Sequence, residues 1–382
     1  MKTYITNARL ITTNQVIEDA SLLIEDGHIA AINPESTNNV NSISLNNQYL
    51  LPGLVDLHCD AIETEIEPRS NAFFPVDFAV AQVDRINAGV GITTPFHAIS
   101  FSHEEFGVRN NEIATQIVHA LHDYQPQQLV NNQVHCRYEI TDPTGLPILI
   151  NLLEENAIHL ISLMDHTPGQ GQFKSLQAFQ DYLTNNHNRT VAEAQTIAAR
   201  KVEQGGYALE RVKTLISKAL SKGIQIASHD DDNPERIISM EELGVHISEF
   251  PINLETAIAA QKSGLMTVFG APNLLRGQSQ SGSIKAIDAI KNQVCDALCG
   301  DYSPASLLAA AFRIPELEDW SLPEAIKLVT SNPAKAANMM DRGEIAVGKR
   351  ADLIAVKHDN SFPQVTTTWV DGRIVYQCHY LK

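Results

Sequence analysis

Leu51-Pro-Gly-Leu-Val-Asp-Leu-His-Cys-Asp60 is a short apolar run that ends in His58-x-Asp60. Read as a strand over 54–58, it places positions 58 and 60 on one face, because side chains alternate with period 2. An imidazole and a carboxylate then leave the strand's C-terminal end together, and such a pair holds a borderline cation such as zinc or manganese. His-x-Asp is frequent by chance, so its weight depends on its place in the chain.

Downstream of Asp60 the sequence alternates. Eight β-rich runs, the first included, lie at 54–58, 91–99, 134–140, 159–166, 223–230, 244–250, 265–272 and 296–302, and most of the segments between them carry helical periodicity, as at 79–88, 112–124, 191–221 and 254–263. Strands alternating with helices predict a parallel sheet with crossover helices. Eight units match an α/β fold of the (β/α)8 TIM-like barrel type. A doubly wound open sheet is the alternative, but polar residues gather at the C-terminal ends of nearly every strand instead of at one switch point. The connection from 167 to 222 is long enough to hold two helices over the mouth of the barrel. Both ends of the chain read as short strands with turns between them, and neither end can bury an apolar face alone. The expected organisation is a small β-sandwich domain built from residues 1–50 and 345–382, with the barrel, 51–344, inserted into it.

Composition narrows the class. The 382 residues are 43% hydrophobic and 19% charged, as in an ordinary globular protein. No apolar run reaches the roughly 18–20 residues that span a bilayer, and the opening Met-Lys-Thr-Tyr-Ile-Thr-Asn does not read as a signal peptide. A cytoplasmic protein is expected. Five cysteines do not make a disulfide framework, and Cys295-x3-Cys299 reads as buried thiols. A net charge of −17 argues against binding to nucleic acid or an anionic membrane.

Reading only the predicted strand ends gives His58 and Asp60, Thr94 and His97, Glu139, Asp165 and His166, His229 to Asp232, His246 and Glu249, Asn273 with Arg276, and Asp301. Each has a bland reading: a lone histidine is usually a solvated or capping residue, and Asp230–Asp232 before Asn233-Pro234 reads equally as a helix cap. Five or more His, Asp and Glu positions at one end of a barrel nevertheless match the needs of two divalent ions that share a carboxylate.

Leu51–Asp60 and the tail Gly343-Glu-Ile-Ala-Val-Gly-Lys-Arg-Ala-Asp-Leu-Ile-Ala355 resemble the amidohydrolase superfamily, whose members carry a metal-binding barrel inserted in a small β-domain. Four further stretches are similar to one subfamily, the diphosphatases of the carbon–phosphorus lyase pathway of phosphonate metabolism. They are Leu163-Met-Asp-His-Thr-Pro-Gly-Gln170, Ala227-Ser-His-Asp-Asp231, Ser248-Glu-Phe-Pro251 and Gly270-Ala-Pro-Asn-Leu-Leu-Arg-Gly-Gln-Ser-Gln-Ser-Gly282. The resemblance implies hydrolysis of α-D-ribose 1-methylphosphonate 5-triphosphate to the 5-phosphate and pyrophosphate. It also implies a divalent cofactor, zinc before manganese or iron, as one ion or two, and a pairing of barrels into a homodimer.

Carried over by position, His58 and Asp60 bind a first metal, with Asp60 standing where the superfamily usually has a second histidine. Glu139 takes the place of the bridging carboxylate, and His166 and His229 serve a second metal. Glu249 stands where strand six commonly supplies a histidine and is assigned to the substrate side. Asp301 binds metal and accepts the proton of the attacking water. Charged phosphoryl oxygens also need cations, and with 28 Lys and Arg against 45 Asp and Glu these must be concentrated. Arg276, with Asn273, Ser279 and Ser281 on a Gly/Ser-rich loop, is the first candidate for holding phosphate, and Arg69 the second. Two rivals stay open: an amidohydrolase-type deacylase or cyclic amidase that cleaves a C–N bond, and a barrel that has lost catalysis and serves in assembly.

Overall fold

The computed structural model describes residues 2–35, 41–103, 108–169, 175–187, 190–279, 282–359 and 362–380, with the side chains of 185–187 excepted. The N-terminal strands are β1 (Lys2–Ile11), β2 (Val16–Glu25), β3 (His28–Ile32), β4 (Asn41–Ser44) and β5 (Tyr49–Pro52). The barrel strands are β6 (Leu54–Cys59), β7 (Ile92–Phe101), β8 (Gln133–Glu139), β9 (Leu160–Met164), β10 (Gln225–His229), β11 (Ile247–Glu249), β12 (Met266–Gly270) and β13 (Ala297–Cys299). The chain closes with β14 (Leu353–Lys357), β15 (Gln364–Val370) and β16 (Arg373–Gln377).

All eight barrel strands pair in parallel, each with its sequence neighbour. Closure between β13 and β6 is a bridge and not a full ladder: Asp301 N–H donates to the His58 carbonyl at 2.8 Å, and Asp60 N–H to the Asp301 carbonyl at 2.9 Å. Asp56 stitches the same seam, its carboxylate accepting from Gly300 N–H at 2.9 Å and His58 N–H at 3.2 Å. Burial raises that carboxyl to about 7, against the pull of the two N–H donors. Gly300 is required there, since a Cβ would come within 2.4 Å of the Asp56 carboxylate.

Alternate side chains along each strand fill two different layers. Leu160, Ala227, Ile247, Val268, Ala297 and Cys299 pack inside the barrel. Val134, Cys136, Tyr138, Ile161 and Leu163 pack outward on the helices. The helices begin where short polar side chains cap them: Asn110, Asn233 and Asn253 each accept backbone N–H bonds, and Pro234 occupies the first turn after Asn233. Cys295 and Cys299 are buried free thiols.

The terminal strands form a separate sheet in the order β16-β15-β14-β5-β1-β2-β3, with β4 on β1. Its core joins both ends of the chain through Ile5, Leu10, Leu22, Leu50, Leu353 and Trp369. It includes Tyr49–Pro52, directly before the first barrel strand, because β5 pairs with both β1 and β14. Among the described residues, three helices and not the expected two run between β9 and β10: Leu176–His187, Val191–Gly205 and Ala208–Ser221. The first two share a small core of Phe179, Leu183, Ala194 and Ala198, and both contribute to the cavity at the barrel mouth. Among the described residues no helix is long and apolar enough to cross a membrane.

Candidate active site

The inward face of β8 carries His135, Arg137 and Glu139, because Val134, Cys136 and Tyr138 are taken by the helical layer. The same alternation sets His229 two residues above Ala227 and Glu249 two above Ile247. Asp301 follows Cys299 just beyond the last barrel strand, with φ +53°. Of these side chains, Arg137, His229 and Asp301 line, with His58, a cavity of about 610 Å³ at the C-terminal mouth, where barrel enzymes keep their chemistry; Asp60 and Glu249 lie against His58.

His58 is the hub. Its Nδ1 lies 3.3 Å from Glu249 Oε1, its Nε2 3.3 Å from Asp60 Oδ1, and its ring is 1% exposed. Burial alone would depress its pKa, but Glu249 and Asp60 outweigh burial and hold it at about 10. Asp60 is gripped by two arginines: Arg137 Nη1 at 3.0 and 3.2 Å, and Arg109 Nη2 at 3.3 Å. Burial opposes ionisation of Asp60, and Arg137 first, then His58 and Arg109, overcome it and keep the carboxyl well below its usual range. Glu249 is completely buried, yet His135 and His58 hold it down at about 2. Asp301 is displaced the other way, raised by burial and by the neighbouring Asp60 charge.

Among the described residues, two groups bring ligand atoms within 4.8 Å of one another: His58, His229 and Glu249, and His58, Asp60 and Asp301. One imidazole-rich and one carboxylate-rich set is donor chemistry for a divalent ion. Glu249 Oε2, both ring nitrogens of His229 and Nε2 of His135 are buried without a hydrogen-bond partner. Buried polar atoms are almost always satisfied, so this cluster of exceptions fits a bound cation.

Several expectations change. Glu139 does not join either group. It rises above Arg137 toward the mouth helices and is bound by Thr141 at 2.6 Å, His166 at 2.9 Å and Lys201 at 3.0 Å. Burial opposes its ionisation, but Lys201 and His166 hold it well below the usual carboxylate range. Glu249, expected on the substrate side, lies instead among the histidines, 3.3 Å from His58 and 3.7 Å from His135, because it faces inward two residues after Ile247. His166 lines the cavity, paired with Glu139 and not with His229. Arg69 is exposed and is not among the residues lining the cavity.

Asn273, Arg276 and Ser279 do line the cavity, with Arg276 Nη1 donating to the Tyr302 hydroxyl at 3.2 Å. Ser281 lies outside the described residues. Thr94 and His97 sit below the mouth, because β7 runs on to Phe101; His97 is fixed by Asn132 at 2.8 Å and Thr94 by Arg342 at 3.1 Å. His246 is exposed before the start of β11, at the opposite end from the mouth. Asp165 and Asp231 turn to Arg236 at 3.4 and 3.0 Å.

Arg137, Arg109 and Lys201 are not evident in the sequence as parts of the site. A signal for Arg137 is present, since His135-x-Arg137-x-Glu139 has the spacing of one strand face. Lys201 comes from a mouth helix whose position no local pattern encodes.

A barrel with clustered His, Asp and Glu side chains at its mouth, inserted in a sheet made of both termini, is the architecture shared by a family of hydrolases. The Amidohydrolase family model matches residues 203–375, and the chain belongs to this family. It is 32% identical over 377 residues to the alpha-D-ribose 1-methylphosphonate 5-triphosphate diphosphatase of Escherichia coli (strain K12), an alignment covering 97% of this chain and 100% of that one. It is 24% identical to the imidazolonepropionase of Deinococcus deserti, over 89% of this chain and 86% of the other. Similar solved folds include the N-acetylglucosamine-6-phosphate deacetylase from Pasteurella multocida, with TM-score 0.64, 15% identity, and 98% and 99% of the two chains covered. A Xaa-Pro dipeptidase with bound methionine has TM-score 0.68, 17% identity, and 99% and 100% covered.

Proposed function

We propose that this chain hydrolyses the 5-triphosphate of a ribose phosphonate, α-D-ribose 1-methylphosphonate 5-triphosphate or a close analogue, and releases pyrophosphate. The observation that carries this reading is the end-to-end 32% identity to the Escherichia coli diphosphatase. Arg276 with Asn273 and Ser279 at the cavity supports it: a cation beside polar donors suits the charged oxygens of a phosphoryl chain.

His58, His229 and Glu249 are the residues that would hold a divalent ion, and Asp60 and Asp301 group with His58 on its other side. The chemistry supplied there is Lewis acidity, which acidifies water and polarises a phosphoryl oxygen. Asp301 holds the proton. Its raised pKa makes it a better acceptor than an ordinary aspartate, and it returns the proton to the departing oxygen. Arg276, Asn273 and Ser279 bind one anionic end of the substrate at the β12 side of the mouth, and Arg109 with Lys201 faces them from the other side. Phe179 and Leu183 roof the cavity and limit water.

The test is a side-by-side assay of the metal-loaded chain on the ribose phosphonate triphosphate and on a panel of N-acyl and cyclic amides. Turnover of the triphosphate alone is expected; turnover of amides alone would replace this reading with the C–N hydrolase.

A further inference from the structure

The two candidate groups share His58, and the protein treats their two sides differently. On the Glu249 side no Arg or Lys among the described residues pairs with Glu249, only His58 and His135. Glu249 Oε2, His229 Nε2 and His135 Nε2 are left buried and unpartnered, and His229 Nδ1, though 3.1 Å from Asp230, is off the hydrogen-bond direction. On the Asp60 side a cation is already present. Arg137 Nη1 lies 3.0 Å from Asp60 Oδ1 and 3.1 Å from His58 Nε2, between two groups that would otherwise chelate an ion. The arginine is not a surface arm that can swing away: its side chain is 7% exposed, and its Nη2 donates to Ser100 Oγ at 2.7 Å. Arg109 adds a further positive charge on Asp60 Oδ2.

We infer that the barrel mouth holds a single divalent ion, at His58, His229 and Glu249, and that the guanidinium of Arg137 takes the place of a second. Asp60 is then not a ligand. Nε2 of His58 faces Asp60 and Arg137, Arg137 and Arg109 satisfy that carboxylate, and Nδ1 faces Glu249. A carboxylate behind a metal-binding imidazole fixes the orientation of the ring in this way. The substitution of the superfamily's second histidine by Asp60 acquires a reason: a carboxylate can bind both a histidine N–H and two guanidinium groups, which an imidazole cannot. Arg137 also gives the mouth a permanent positive charge that needs no ion to be recruited. This inference concerns the metal alone and does not depend on which substrate is cleaved.

The experiment uses the full chain, stripped with a chelator, given excess zinc and desalted, with ions per chain counted by mass spectrometry. A parallel titration with cobalt(II) is followed by electron paramagnetic resonance. Wild type is expected to retain one ion, and the cobalt signal of the protein to rise to one equivalent and then stay constant as an isolated high-spin centre. Arg137→Ala frees Asp60 Oδ1 and His58 Nε2, which group with Asp301, and is expected to retain two ions, whereas Arg137→Lys stays at one. Two ions per wild-type chain, or a cobalt signal that falls through coupling as a second equivalent binds, overturns the inference. So does a folded Arg137→Ala protein that still holds one. If Arg137→Ala does not fold, the wild-type cobalt titration decides alone.

Discussion

Asp301→Asn separates the proton-handling role from the structural one. Asp301 sits at φ +53°, a left-handed conformation that asparagine tolerates nearly as well as aspartate. The two backbone hydrogen bonds that close the barrel through this residue, Asp301 N–H to His58 at 2.8 Å and Asp60 N–H to Asp301 at 2.9 Å, survive the change. The native carboxyl is raised by burial and by Asp60. A carboxylate whose folded pKa lies above its unfolded value costs stability once pH exceeds the unfolded value, so removing it relieves that cost at neutral pH. The melting temperature at pH 8 is therefore expected to stay level or to rise. Turnover behaves oppositely. Loss of a positioned general base costs about 10²–10⁴-fold, which is about 3–5 kcal/mol of activation barrier. The assay is pyrophosphate release under saturating substrate, with metal content measured on the same sample. Turnover within tenfold of wild type at unchanged metal content refutes the role of Asp301. Loss of the ion together with activity makes it a ligand instead.

Arg276→Ala removes an exposed cation that lines the cavity beside Tyr302; KM for the triphosphate is expected to rise about tenfold with kcat nearly unchanged, the size of one charge-assisted bond, and an unchanged KM removes Arg276 from the substrate site. Lys201→Met leaves buried Glu139 with His166 and Thr141 only. A loss of about 3 kcal/mol in denaturant unfolding is expected, with most of it recovered in Lys201→Met/Glu139→Gln; no recovery means that Lys201 stabilises by packing alone. His97 and His159 lie away from the mouth, and burial holds each near a pKa of about 4. The unfolded chain therefore binds more protons below pH 6.5, and stability falls as pH drops from about 6.5 toward 4, by about 1.4 kcal/mol per pH unit for each histidine. In His97→Gln the slope of stability against pH over this window should shrink by one proton; an unchanged slope shows that His97 is already charged in the folded state.

The barrel is legible in the sequence because a parallel strand buried on both faces reads as a short apolar run, as in Leu54–Cys59 and Leu160–Met164, and because eight β-rich runs alternate with helical segments. Where sequence and structure part, the cause is three-dimensional. Glu139 and Glu249 both end inward-facing strands, and nothing local tells which of them descends to the histidines. The difference lies in the partners that other elements bring: Thr141, His166 and Lys201 take Glu139, whereas Glu249 meets His58 and His135. His97 resembles a strand-end residue because the β-rich pattern stops at Ile99, two residues short of the true end at Phe101. Arg137 is hard to read because an arginine facing into a barrel is an anomaly until Asp60, Arg109 and Ser100 are seen around it. Short helices such as Ala271–Arg276 and Ala61–Ile66 have too few turns to show a period.

Phosphorus NMR of the products tests the hydrolytic reading most directly. The metal-loaded chain is incubated with α-D-ribose 1-methylphosphonate 5-triphosphate, and resonances of the 5-phosphate and of free pyrophosphate are expected in equal amounts. These should vanish with chelator and return with zinc. Orthophosphate with a 5-diphosphate, or an unreacted triphosphate in a sample that hydrolyses an amide, contradicts it.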